Sequence, residues 1–145
     1  MKLLVQRSKN SNVEVDGKVI NSINKGLVLL VGFTINDTIK DLEKMAQKVV
    51  NLRIFDDEKG VMNKSILEVG GEILSISQFT LYANTKKGNR PSYIEALNGK
   101  EAIILYEKFN EELNKYIPTK SGIFGADMLV NITNDGPITI MLESR

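Results

Sequence analysis

The run Leu27-Val28-Leu29-Leu30-Val31-Gly32-Phe33 constrains this chain more than any other segment. It is short, rich in branched side chains and without an alternating polar face, so it reads as a strand buried on both faces. It is also far too short to span a bilayer. Upstream, Lys2 to Arg7 carries Leu3, Leu4 and Val5, and Val13 to Val19 alternates around Asp16-Gly17, a pair that favours a tight hairpin. The chain therefore opens as β structure.

From Thr38 the period changes. Ile39, Leu42, Met45, Ala46, Val49 and Val50 fall on one side of a 3.6-residue wheel, with Asp37 or Thr38 able to cap the first turn. Asp56 to Gly60 reads as a polar turn, whose consecutive acids Asp56, Asp57 and Glu58 point in different directions and read as solvated. Glu72 to Ala83 alternates as a strand, and Asn84 to Ser92 is a loop. Ala102, Leu105, Tyr106, Phe109, Leu113 and Tyr116 mark a second helix stopped by Pro118. Ala126 to Thr133 and Ile138 to Glu143 read as two strands separated by a turn at Asn134-Asp135-Gly136-Pro137. The pattern predicts a β-rich α/β chain of α+β type, with two principal helices. Its 145 residues fit one domain, residues 1–145, and nothing in the sequence divides them.

Composition removes most familiar hydrolytic machinery. With no Cys and no His, the chain cannot form a Cys/His zinc site, a disulfide, a Cys nucleophile or a Ser-His-Asp triad. Lys plus Arg number 19 against 18 for Asp plus Glu, so the net charge of +1 lacks the basic bias of a nonspecific nucleic-acid binder. Any nucleic acid must be held locally. The absence of cysteine agrees with a reducing cytoplasm, and the start Met1 to Asn10 lacks a long apolar signal core, which predicts a soluble cytoplasmic protein.

Four segments could carry chemistry. Ser77-Gln78-Phe79-Thr80 places hydroxyl and amide groups where a strand leaves the sheet, although pattern alone favours hydroxyls that satisfy neighbouring backbone. Thr80 as a covalent nucleophile would need an adjacent base, and no histidine exists to serve. Lys86, Lys87 and Arg90 form the best local cationic cluster, which on its own reads as solvation before phosphate recognition. Phe124 to Met128 suits either core filling or the wall of an adenine-sized pocket, core filling being the commoner use. Gly136-Pro137 reads as part of a turn, and only about 5–6% of X-Pro bonds in folded proteins are cis.

Taken together, Ser77 to Ala83, Arg90-Pro91-Ser92, Phe124 to Met128 and Asn134 to Thr139 resemble the bacterial D-aminoacyl-tRNA (D-tyrosyl-tRNA) deacylase family. Val5-Gln6-Arg7, Asn51 to Phe55 and Val69-Gly70-Gly71 match the same pattern, so the resemblance covers essentially the whole chain. The departures are conservative, with Ile138 where valine is common and Tyr93 where phenylalanine is common. The resemblance implies a homodimer with mainly antiparallel, barrel-like sheets. It would hydrolyse the ester joining a D-amino acid, or glycine mischarged on tRNA-Ala, to the tRNA 3′ end. No metal, cofactor, membrane or DNA is expected.

Carried over by position, Ser77 to Thr80 are substrate-positioning groups, with the Phe79 and Thr80 backbone near the scissile ester. Phe124 and Met128 border the terminal adenosine, and Gly136 and Pro137 match a Gly-cisPro element that enters the partner's pocket and rejects L-amino acids. Lys86, Lys87 and Arg90 become candidates for tRNA phosphate contacts. An aminoacyl ester is already activated, and the neighbouring ribose hydroxyl can help orient water, so backbone N–H groups at the oxyanion could suffice. Attack by Thr80 stays open as a second route. Two other classes compete with this reading: a noncatalytic nucleic-acid-binding module of the same fold, and a small-molecule esterase.

Overall fold

The computed structural model describes residues Met1–Arg145. The strands are β1 (Lys2–Ser8), β2 (Ser11–Val15), β3 (Lys18–Ile23), β4 (Gly26–Gly32), β5 (Phe55–Asp56), β6 (Met62–Lys64), β7 (Glu72–Ser77), β8 (Thr119–Ser121), β9 (Leu129–Asn131) and β10 (Asn134–Glu143). The helices are α1 (Ile39–Val50), α2 (Ile66–Val69) and α3 (Gly99–Asn114), and Phe79–Tyr82 forms a 3-10 turn.

The apolar run becomes β4, in the middle of a five-stranded sheet of order β10-β1-β4-β7-β8. Its alternate side chains enter two different cores. Leu27, Leu29 and Val31 join Leu3 and Val5 of β1 against α1 and α3, in a cluster that includes Leu42, Met45, Val49, Phe109 and Leu113. Val28 packs on the other side with Val13, Ile23, Leu74 and Ile76, and Leu30, Met128 and Val130 lie against that cluster. The second core is closed by a three-stranded sheet of order β3-β2-β9. Helices, large sheet and small sheet thus form three layers, and β4 is buried on both faces as its sequence predicts.

The helices follow their apolar stripes. Thr38 is the N-cap of α1, where its backbone N–H donates to the Asp41 carboxylate at 2.8 Å. Asp37, the other candidate cap, instead accepts from the Thr34 N–H at 2.7 Å. α3 starts at an Asn98 cap that accepts from the Glu101 N–H at 3.1 Å, and it ends at Asn114, so Tyr116 falls just beyond it. No helix is long and apolar enough to cross a membrane.

Several expectations need correction. The strand read from Glu72 to Ala83 ends at Ser77, because its partner β4 ends at Gly32 and the last bond across the ladder runs from Gln78 N–H to Val31 O at 2.7 Å. The next residues coil into the 3-10 turn. Asn134 to Pro137 is not a turn between strands but the first part of β10, paired through Asn134 with Ser8 across an irregularity in the ladder. The preceding strand shrinks to Leu129–Asn131. The short helix α2 was not expected, although Ser65 and Glu68 form the reciprocal cap that announces one. The pairings are mainly antiparallel, with β4–β7 and β7–β8 parallel. None of the sheets closes into a barrel, since β10 and β8 are the open edges of the large one.

Candidate active site

The parallel pair β4–β7 sets the position of the main cleft. In sheets with parallel strands, ligand crevices form beyond the carboxyl ends of those strands, where the following loops diverge. Here a cleft of about 680 Å³ opens past Val31 and Ser77, which are partners in the ladder. One wall is the exit of β7 with Ser77, Gln78 and Phe79, a second is the start of α3 from Asn98 to Ala102, and a third is Phe124 to Met128. Segments far apart in sequence therefore meet at one place, bringing together Ser77, Gln78, Phe79, Phe124 and Met128 but not Thr80.

The local geometry follows from the end of the ladder. The first hydrogen bond of the 3-10 turn runs from Leu81 N–H to Gln78 O, so the N–H groups of Phe79 and Thr80 precede it and are not consumed by the turn's own ladder. Thr80 is half-buried and is not among the residues lining the cleft; its hydroxyl accepts a hydrogen bond from the Gln78 side-chain amide. Phe79 projects into the mouth of the cleft, 56% exposed, with its ring edge-to-face on Tyr93 at 5.0 Å between centroids. Phe124 leans on Tyr106 at 5.7 Å, and the Tyr106 hydroxyl donates to Ser75 O at 2.7 Å. Burial pushes the Tyr106 phenol above its ordinary pKa, against hydrogen bonds that pull it down, so it remains a neutral donor joining two walls of the cleft.

Gly136 and Pro137 lie elsewhere. The bond between them is cis, both residues are exposed on β10, and neither lines the cleft of its own chain. What fixes this segment is Arg7, a residue that sequence reasoning gave no role. Arg7 is 8% exposed; its Nε donates to Asp135 O at 3.2 Å and lies 3.3 Å from the Asp135 carboxylate, while Nη1 donates to Ile54 O at 2.9 Å. Asn134 adds a second tie, its side-chain oxygen accepting from the Ile138 N–H at 3.1 Å. Arg7→Ala leaves the Ile54 carbonyl and one side of Asp135 without a partner, and is expected to cost about 1–3 kcal/mol. Urea unfolding measures it; a midpoint equal to wild type would show that Arg7 anchors nothing.

Lys86, Lys87 and Arg90 are exposed on a loop closed by the Asn84 and Ser92 backbones, which exchange hydrogen bonds of 2.8 and 2.9 Å. None of the three cations takes part in an ion pair. The sequence model of the D-Tyr-tRNA(Tyr) deacylase family matches residues 4–143. The chain belongs to that family. D-aminoacyl-tRNA deacylases of Clostridium botulinum strain 657 (type Ba4) and strain Langeland (type F) are 55% and 54% identical to it, each over 100% of this chain and 98% of its own length. Among solved structures, one described as a c-Myc DNA unwinding element binding protein superposes with a TM-score of 0.96 at 45% identity, covering 100% of this chain and 99% of its own. A probable eukaryotic D-amino acid tRNA deacylase superposes with a TM-score of 0.84 over 97% of both chains; at 16% identity it shows the shared fold alone.

Proposed function

We propose that this chain is a D-aminoacyl-tRNA deacylase that hydrolyses the ester between a D-amino acid, or glycine, and the terminal ribose of tRNA. Family membership over nearly the full chain is the observation that carries the reading. In the proposed reaction, water adds to the ester carbonyl, the Phe79 and Thr80 N–H groups receive the developing oxyanion, and the carbon–oxygen bond to the ribose breaks. The ribose oxygen leaves with a proton, and free amino acid and tRNA are released. Ser77 and Gln78 orient the ester, Phe124 and Met128 border the adenosine, and Lys86, Lys87 and Arg90 meet phosphates. One domain, residues 1–145, performs the whole reaction in the cytoplasm without cofactor, membrane or DNA.

Chirality requires more than attraction, since D and L esters differ only in exchanging hydrogen and side chain at one carbon. Something must obstruct the L side chain. Gly136 and Pro137 are exposed and stand outside the cleft of their own chain, which supports their insertion into the cleft of a second copy. An isologous pair would then hold two equivalent sites, each completed by its neighbour. Sedimentation equilibrium at micromolar concentration is expected to give twice the chain mass, and purified protein to release D-tyrosine but not L-tyrosine from charged tRNA. A monomer with full preference for D would overturn the cross-subunit arrangement.

A noncatalytic nucleic-acid-binding module of the same fold is the second reading, favoured by the described DNA binding of the 45% identical neighbour. Retention of D-tyrosyl-tRNA on a filter without release of tyrosine, or retention of duplex DNA, would select it.

A further inference from the structure

We propose that the aromatic pair Phe79–Tyr93 at the rim of the cleft is a stacking platform for the unpaired penultimate base of the substrate's 3′ end. This rests on the deacylase reading above and adds to it a subsite for a second nucleotide. Phe79 is 56% and Tyr93 39% exposed, and Ile94 beside them is 81% exposed. An edge-to-face pair holds both rings in place without either covering the other, leaving aromatic surface open to a planar ligand. Both rings line the same cleft as Phe124 and Met128, so a terminal adenosine held at that wall must pass its preceding nucleotide out over the rim.

Charge selects the occupant. Tyr93 follows Ser92, the residue that closes the loop carrying Lys86, Lys87 and Arg90, and no acidic residue occurs from Asn84 to Ile94. An exposed aromatic surface adjoining a loop that carries unpaired cations is an arrangement that takes single-stranded nucleic acid, rings for the bases and cations for the phosphates.

The test compares D-tyrosyl esters of adenosine, of the dinucleotide CpA, and of CpA lacking its cytosine base. In wild type, kcat/KM is expected to rise about tenfold from adenosine to CpA, most of the gain vanishing with the base. Tyr93→Ala should reduce the gain below about twofold, and Tyr93→Phe should retain it. No gain in wild type, a gain that survives without the base, or a full gain in Tyr93→Ala would each overturn the platform. So would a Tyr93→Ala protein that sediments as a monomer beside a dimeric wild type, because the face would then be an interface between copies. Affinity for uncharged CpCpA tests the platform independently of hydrolysis: about tenfold weaker binding by Tyr93→Ala is expected, and equal binding overturns it. Failure of wild type to hydrolyse any ester would instead reject the deacylase reading.

Discussion

Gly26→Ala is expected to abolish cooperative folding. Gly26 opens β4 at φ +149°, a conformation side chains rarely adopt, and a Cβ there would lie 1.8 Å from Glu72 O with two further backbone atoms of Glu72 at 2.8 Å. The obstruction is main chain on both sides, so no rotamer relieves it. Nor can the strands simply part, since Glu72 N–H donates to Lys25 O at 2.9 Å and Ile73 N–H to Pro118 O at 3.0 Å. Losses above about 4 kcal/mol are exceptional for one substitution, and a typical domain has only about 5–15 kcal/mol in total. Gly17→Ala is the control: Gly17 also has positive φ, at +74°, but a Cβ there meets nothing within 4 Å, so only the backbone cost of about 1–2 kcal/mol applies. Circular dichroism with urea unfolding would decide it. A Gly26→Ala protein that unfolds at the same urea concentration as Gly17→Ala would refute the argument.

Replacing the 2′-hydroxyl of the terminal ribose by hydrogen is expected to slow hydrolysis about 10²–10⁴-fold, the usual contribution of a positioned proton-transfer group. The chain has no histidine and no cysteine to activate water. The Thr80 hydroxyl contacts the Gln78 amide, which is no base, and Asp127 is the sole carboxylate lining the cleft. The substrate's own hydroxyl is then the group placed beside the ester. Thr80→Ala should lose at most about tenfold, whereas loss of a true nucleophile is far more severe. Single-turnover rates on D-tyrosyl-tRNA ending in adenosine or 2′-deoxyadenosine measure the effect. Normal cleavage of the deoxy substrate, a trapped threonyl ester, or an equally large loss in Asp127→Asn would each defeat the RNA-assisted route.

What could be read in advance was whatever depends on local period. α1 was legible because Leu42, Met45, Ala46, Val49 and Val50 are both its apolar stripe and its buried residues. β4 was legible because a strand between two layers has no polar face to show. The end of β7 was not, since Ser77 to Tyr82 contains neither Gly nor Pro and the strand stops because its partner β4 ends. Asn134 to Pro137 misled for the opposite reason: strong turn residues were overridden by pairing with β1 and by the hold of Arg7 on Asp135. Arg7 itself looked like one more polar strand residue, as its partners lie 47 and 128 positions away. The cleft had the faintest trace, because the groups assigned to the oxyanion belong to the backbone and leave no letter in the sequence.

That last feature bears on how such an enzyme can change over generations. Main-chain donors are indifferent to which side chain they carry and sensitive to how many residues precede them. Gln78 is tied to Val31, and the 3-10 turn is counted from Gln78. Losing one residue from β7 would turn every later side chain to the opposite face of the sheet and every later amide toward the opposite neighbouring strand, while a substitution changes neither direction. Along β7 an insertion or deletion would therefore displace the oxyanion donors, whereas a substitution that respects the buried Ile73, Leu74 and Ile76 would leave them in place.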